Sequence, residues 1–151
     1  MADLKHATYC GLYCRLRTHT ARIPHQVRAL QETMRKKGWE HFGKGVDANF
    51  AAFWQTLERL STTDDTCPGC RGGCGLPGCE IRACAREREV EVCPMCEDYP
   101  CARIEDLGRA YPTLLWDGAC LQRIGLDAWI AKQEERRATN FAYADIRCPG
   151  S

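Results

Sequence analysis

Two pairs of cysteines stand two residues apart in the middle of this chain, Cys67-Pro-Gly-Cys70 and Cys93-Pro-Met-Cys96. That gap lets a tight turn aim both sulfurs at one point, and four thiolates converging in this way hold a tetrahedral ion at Zn–S distances of about 2.3 Å. Cys74, Cys79, Cys84 and Cys101 fall in the same stretch, so eight of the twelve cysteines lie between residues 67 and 101. A run that dense serves either metal or disulfides. The opening sequence MADLKHATYCGLYCR is polar and interrupted by charge, without the apolar segment of a secretory leader. The expected compartment is therefore the cytoplasm, where thiols stay reduced and metal is the expected use. The twenty-two residues between the two pairs slightly exceed the usual spacing of a four-cysteine zinc module, about fifteen to twenty.

Zinc is the leading ion, and an iron–sulfur cluster is the alternative, because four thiolates hold a [4Fe–4S] cluster as readily. The run of two-residue gaps that marks ferredoxin-type sequences is missing: beyond the two pairs the intervals are three, four, four, eight and four residues. A structural ion with a surface that serves an interaction is expected over an enzyme. A catalytic thiolate would need a partnered base, and a catalytic zinc would need His or carboxylate ligands and an open position. Neither constellation is visible. Glu87, Glu89 and Glu91 alternate with Arg86, Arg88 and Val90, which reads as a solvated helix end. Gly72-Gly73 and Gly75 lie among cysteines with no GK[ST] to make a phosphate loop. His6, His19, His25 and His41 all precede the cysteine run; His19 or His41 could supply one ligand, but both rank below every cysteine of the module.

The elements that must position these thiols are helical, and the chain reads as one domain in three parts. In residues 1–62, Pro24 suits a first helical turn, Val27, Leu30 and Met34 follow at helical spacing, and Gly38 offers a stop. A second helix is expected from Asp47, whose carboxylate can cap it, with Phe50, Phe53, Trp54, Leu57 and Leu60 on one inward face. Residues 61–66 link to the module of residues 67–101, where Gly and Pro punctuate almost every turn and only Glu80–Arg88 has helical propensity. Bound metal must supply there what apolar burial cannot. Residues 102–151 are again helical. A short stretch starts at Ala102; a helix over about Pro112–Ile124 turns Leu114, Leu115, Leu121 and Ile124 inward and ends at Gly125; a last one opens near Asp127 with Trp129 and Ile130 toward the core before the charged run KQEERR. The expected fold is thus α-rich and mainly α, with a small irregular α+β arrangement as the alternative, its helices flanking a central zinc-knuckle module.

Charge and hydropathy bound the partners. Residues 1–45 carry nine Lys/Arg against three Asp/Glu, and residues 46–151 carry twelve against seventeen. The basic residues Arg22, Arg28, Arg35, Lys36 and Lys37 fall on the first expected helix without interleaved aromatics, so a solvated face is expected over a phosphate-binding stripe. A protein partner is expected, with nucleic acid the weaker reading. No apolar run is long enough to span a membrane.

Several strings together resemble the cysteine-rich family known as domain of unknown function 3795: Tyr9-Cys10-Gly11-Leu12-Tyr13-Cys14; Cys67-x2-Cys70-Arg71; Cys79-Glu-Ile-Arg-Ala-Cys84-Ala85-Arg86-Glu87; Cys93-x2-Cys96-Glu97-Asp98-Tyr99-Pro100-Cys101; and the late Arg123-Ile124-Gly125-Leu126-Asp127-Ala128-Trp129. The resemblance implies a zinc-binding, cytoplasmic, prokaryotic protein with no assigned activity. Relatives often carry a third N-terminal cysteine where this chain has Arg17, and Cys74 is not a position of the motif. Without Cys74 the module holds seven cysteines, too few for two closed four-thiolate sites, which draws in Cys10 and Cys14. The expected metal ligands are therefore Cys10, Cys14, Cys67, Cys70, Cys79, Cys84, Cys93, Cys96 and Cys101. One grouping sets Cys67, Cys70, Cys93 and Cys96 in the first site, and Cys79, Cys84 and Cys101 with Cys10 or Cys14 in the second. Cys120, inside an apolar helix, reads as core. Cys148-Pro-Gly-Ser151 is half a site at best.

Overall fold

The computed structural model describes residues 3–146, so Cys148 and its half-site lie outside the described residues. The chain divides into two compact units, one formed by Thr18–Cys67 and the other by the residues up to Arg17 together with those from Pro68 onward. Among the described residues there is no β-strand, only an isolated antiparallel bridge between Ala7 and Tyr13, and the fold is mainly α. No helix among them is long and apolar enough to cross a membrane.

The first unit contains α1 (Thr18–Ala21), α2 (Ile23–Lys36), α3 (Trp39–Val46), α4 (Phe50–Leu60) and α5 (Thr63–Thr66). Pro24 occupies the first turn of α2 as expected, where its missing N–H leaves no bond unmade. Gly38 stops that helix in a left-handed conformation, φ 76°, and the chain re-enters a helix at once. This α3 is not foreseen in the sequence, because Gly43 and Gly45 weaken its local propensity. Gly43 has a packing reason: a Cβ there would come within 2.6 Å of the Phe50 ring, so its absence lets α3 and α4 close on each other. Asp47 does not cap α4 directly. Its carboxylate accepts from Asn49 N at 2.8 Å and its carbonyl from Phe50 N, a side-chain-supported turn that places the helix start three residues later. Phe50 and Leu57 are buried, but Phe53 is 43% exposed and Leu30 of α2 is 45% exposed, because the apolar stripes are wider than the contact they make.

Arg28 of α2 reaches Asp64 of α5 with two N–H donors, at 3.1 and 3.0 Å. That hydrogen bond first, with the Arg28 charge, holds the Asp64 carboxyl below its ordinary range against the opposing effect of burial. A carboxyl lowered by folding stabilises above its unfolded pKa, and the stabilisation disappears as pH falls through the folded value. Wild-type protein is therefore expected to lose more of its urea midpoint than Asp64→Asn between about pH 5 and about pH 3, by less than about 1 kcal/mol because the pair faces solvent. Equal losses in the two proteins would show that the pair contributes nothing.

The second unit opens with a hairpin whose turn, at Gly11 (φ 92°), is closed by Thr8: its hydroxyl donates to Leu12 O and accepts from Leu12 N, each at 2.9 Å. After the cysteine loop come α6 (Glu80–Glu87), a 3-10 turn at Cys93–Met95, α7 (Ala102–Ala110), α8 (Leu114–Ile124), α9 (Leu126–Ala138) and a last 3-10 turn at Tyr143–Ile146. Their core joins Ala7, Leu12, Tyr13, Leu16, Val92, Ile104, Leu114, Leu121, Trp129, Ile130 and Tyr143. Gly125, at φ 84°, breaks α8 from α9 as expected. Leu115 and Ile124 lie at the exposed edge of α8 instead of inside it, and part of their expected place is taken by a charged group. Asp117 is 1% exposed and receives two bonds from Arg136 of α9, at 2.9 and 3.0 Å, beside the buried Gln133. The run KQEERR is thus not wholly solvated. Cys120 is buried as expected.

Candidate metal centre

Four of the expected ligands, Cys84, Cys93, Cys96 and Cys101, line one cavity in the second unit, although no three of their sulfurs lie within 4.8 Å of one another. Cys84 comes from α6. Cys93 opens the 3-10 turn and Cys96 closes it, with Cys96 N bonded to Cys93 O at 2.8 Å. Pro94 between them is fully buried, so the turn is packed as well as bonded. Cys101 caps α7, its carbonyl accepting from Ile104 N and Glu105 N. Cys93 N also donates to Tyr9 O, which fastens the knuckle to the N-terminal hairpin. The four thiols line one cavity of about 60 Å³, walled by Ala85, Val90, Tyr99 and Ile104.

The electrostatics reflect that crowding. Burial pushes the Cys93 thiol up to about 12, and the neighbouring thiols of Cys10, Cys101, Cys84 and Cys96 push it the same way. A thiolate is costly here until a cation offsets it. One donor stands at the rim. Arg88 donates from Nη1 to Cys96 Sγ at 3.4 Å and pairs with Asp98. The Tyr99 hydroxyl is buried and has no hydrogen-bond partner among the described residues. Burial pushes its phenol up to about 12, followed by Cys93, Cys10, Asp117 and Cys101. Gly118 of α8 makes room for it, since a Cβ there would come within 1.9 Å of the phenol oxygen.

A second set of thiols, from Cys10, Cys70, Cys74 and Cys79, lines a larger cavity of about 510 Å³ together with Thr8, Arg17 and Tyr111. Burial raises the Cys10 thiol, opposed by the Thr8 hydroxyl 3.0 Å away. The loop that carries Cys70 and Cys74 is braced by Arg82, which donates to Cys70 O at 3.0 Å, Cys74 O at 3.1 Å and Leu76 O at 2.7 Å. Arg71 holds the hairpin to the same loop through Leu4 O and Ala7 O while lying over the Tyr9 ring. Cys14 is buried in the 3-10 turn Cys14–Leu16, away from the lining of either cavity.

Cys93 and Cys96 therefore share a cavity with Cys84 and Cys101, whereas the knuckle-to-knuckle grouping set them with Cys67 and Cys70. The physical reason is that Cys84 of α6 and Cys101 at the start of α7 reach the cavity of the 3-10 turn through the tertiary fold, which spacing does not encode. In the first unit, Cys67 closes α5 and its Sγ lies 3.9 Å from His19 Nε2. Both are atoms that can ligate a metal, which raises His19 above its place in the sequence reading; His41 is exposed. Cys74, outside the family motif, lines the larger cavity with motif cysteines. Arg88 and Tyr99 were not foreseeable as site residues from type alone. The only signal was that Tyr99 stands inside the string EDYPC, two residues before a ligand candidate.

The fold and these side chains define a cysteine-rich, mainly α protein with groups able to hold a metal. The chain belongs to the family described as Protein of unknown function (DUF3795), whose model matches residues 6–106. That span runs from the hairpin into α7 and includes every expected ligand. No curated protein and no solved structure matches the chain.

Proposed function

We propose that this chain is a zinc-binding protein in which Cys84, Cys93, Cys96 and Cys101 enclose one tetrahedral ion that shapes the fold. The observation that carries the reading is that Cys84, Cys93, Cys96 and Cys101 line a single cavity; no three of their sulfurs lie within 4.8 Å of one another, so they must draw together when an ion binds. The cysteine spacing, which lacks the run of two-residue gaps of ferredoxin-type sequences, favours one ion over a [4Fe–4S] cluster. The donor set fits: thiolates are the ligands of structural zinc, and the Arg88 N–H is a donor that a bound Cys96 thiolate would accept. Four thiolates leave no open coordination position, so the ion is structural and the function lies in the surface it organises, with a protein as the partner. A nucleic-acid role is the weaker reading because the basic residues of α2 are already engaged, Arg28 with Asp64, Arg35 with Glu40 and Lys36 with Glu32. The reduced thiols this requires are the state that the cytoplasm maintains, which supports a cytoplasmic location.

Protein purified anaerobically is expected to be colourless and to carry zinc in near-stoichiometric amount, read by elemental analysis beside the visible absorption spectrum. Brown protein with iron and acid-labile sulfide would replace zinc with a cluster, and metal-free protein that takes up neither would end the proposal.

A further inference from the structure

Among the four thiols that line the small cavity, only Cys93 and Cys96 share a turn; Cys84 comes from α6 and Cys101 from the start of α7. Cys96 N donates to Cys93 O at 2.8 Å, which closes the turn over four residues. The first and last Cα atoms of such a turn stand within about 7 Å of each other, and a disulfide spans Cα atoms about 4.4–6.8 Å apart. The backbone therefore already brings this pair to the spacing of a disulfide, and only rotation of the two side chains remains.

The turn keeps its shape without help from its sulfurs. Pro94 is buried, its carbonyl accepts from Gln122 Nε2 of α8 at 2.8 Å, and Cys93 N donates to Tyr9 O. The two cysteines differ in their flanks. Cys93 stands between the buried Val92 and Pro94, whereas Cys96 stands between Met95, 56% exposed, and the exposed Glu97. Arg88, itself 44% exposed, gives an N–H to Cys96 Sγ at 3.4 Å, which marks that sulfur as the outer of the two. A solute arriving from water meets Cys96 first and Cys93 behind it.

We propose that Cys93 and Cys96 are a redox-active dithiol that closes to a disulfide by exchange with a low-molecular-weight disulfide. Cys96, as thiolate, attacks one sulfur of that molecule; a bond forms to Cys96 Sγ and the other half leaves as a thiolate. Cys93, its proton passed to water, then attacks Cys96 Sγ, the second half leaves as a thiolate, and the pair is joined. The two protein thiols lose two electrons and two protons, and the small disulfide becomes two thiols. The dithiol does not depend on the ion, and only its consequence rests on the zinc reading: closing the disulfide withdraws two of the four proposed ligands and releases the metal.

The test treats the full chain, as purified anaerobically, with oxidised glutathione. Free thiols, released zinc and the positions of new disulfides are followed in time, the last by alkylation and fragmentation mass spectrometry. Wild type is expected to lose two of its twelve thiols first, in a Cys93–Cys96 disulfide that dithiothreitol reverses, with zinc released in step. In Cys93→Ser the glutathione adduct should remain on Cys96, and in Cys96→Ser position 93 should stay unmodified; an adduct on Cys93 overturns the order of attack. A first disulfide between any other pair, the equally spaced Cys67 and Cys70 included, or no disulfide at all, overturns the dithiol. That map is made on the wild type, so it decides even where a variant misfolds. A Cys93–Cys96 disulfide that forms without zinc release, or in protein that holds no zinc, overturns the four-cysteine ion and leaves the dithiol standing.

Discussion

Cys93→Ser is expected to purify with little or no zinc and to lose the metal-dependent part of the protein's stability. Cys93 lines the cavity with Cys84, Cys96 and Cys101, its thiol is raised first by burial and then by neighbouring thiols, and a serine hydroxyl does not ionise to replace a thiolate. The knuckle it opens is otherwise held by a 3-10 turn of three residues, the buried Pro94, a bond from Cys93 N to Tyr9 O and one from Gln122 Nε2 of α8 to Pro94 O at 2.8 Å. Because an ion that binds only the folded state stabilises by mass action, zinc present at a hundred times its dissociation constant contributes about 2.7 kcal/mol. The variant should lose at least that much in urea, and a chelator should destabilise wild type while leaving Cys93→Ser unchanged. Cys120→Ser is the control, since Cys120 is more deeply buried than Cys93 yet lines neither cavity. Wild-type zinc content in Cys93→Ser would remove that residue from the ligands.

Arg136→Ala should be the most destabilising change away from the cysteines. It strips both hydrogen bonds from Asp117, whose side chain is 2% exposed, while the carboxylate stays where it is. Breaking a buried pair from one side costs about 3–5 kcal/mol, because an uncompensated charge remains. Arg136 also lies over the Phe141 ring at 4.3 Å, so the lost packing adds to the lost charge. Replacing both partners at once, Asp117→Leu with Arg136→Met, should cost much less than Arg136→Ala alone, since no charge is stranded. Urea midpoints of the three proteins decide it; a single variant within about 1 kcal/mol of wild type would show that water reaches Asp117 freely.

Much of this was legible in the residues. Pro24, Gly38 and Gly125 marked helix ends because their backbone chemistry is local, and the periodicity around Trp129 and Ile130 marked α9 for the same reason. The cysteine motifs marked where the thiols are. What spacing could not show was which thiols share a cavity, because Cys84 comes from α6 and Cys101 from the start of α7, and what brings them beside the knuckle is tertiary. The helix at Trp39–Val46 was hidden for a related reason: Gly43 reads as a breaker until the Phe50 ring is seen to need its missing Cβ. Arg136 and Asp117 are nineteen positions apart, and each looks solvated until α8 and α9 are laid together.

The hairpin at the start of the chain carries a consequence for synthesis. Tyr9 O waits for Cys93 N, and Tyr13 N waits for the Tyr143 hydroxyl, 130 residues later. The helical unit Thr18–Cys67 has all its own residues as soon as Cys67 has been made, so it can collapse while the first seventeen residues still lack their partners. Unit-by-unit folding during translation then runs from the inside of the sequence outward, and the hairpin is the last segment to be shielded. Its Cys10 and Cys14 are the thiols longest exposed on the nascent chain, so their oxidation before Cys93 and Tyr143 have been made would compete with folding.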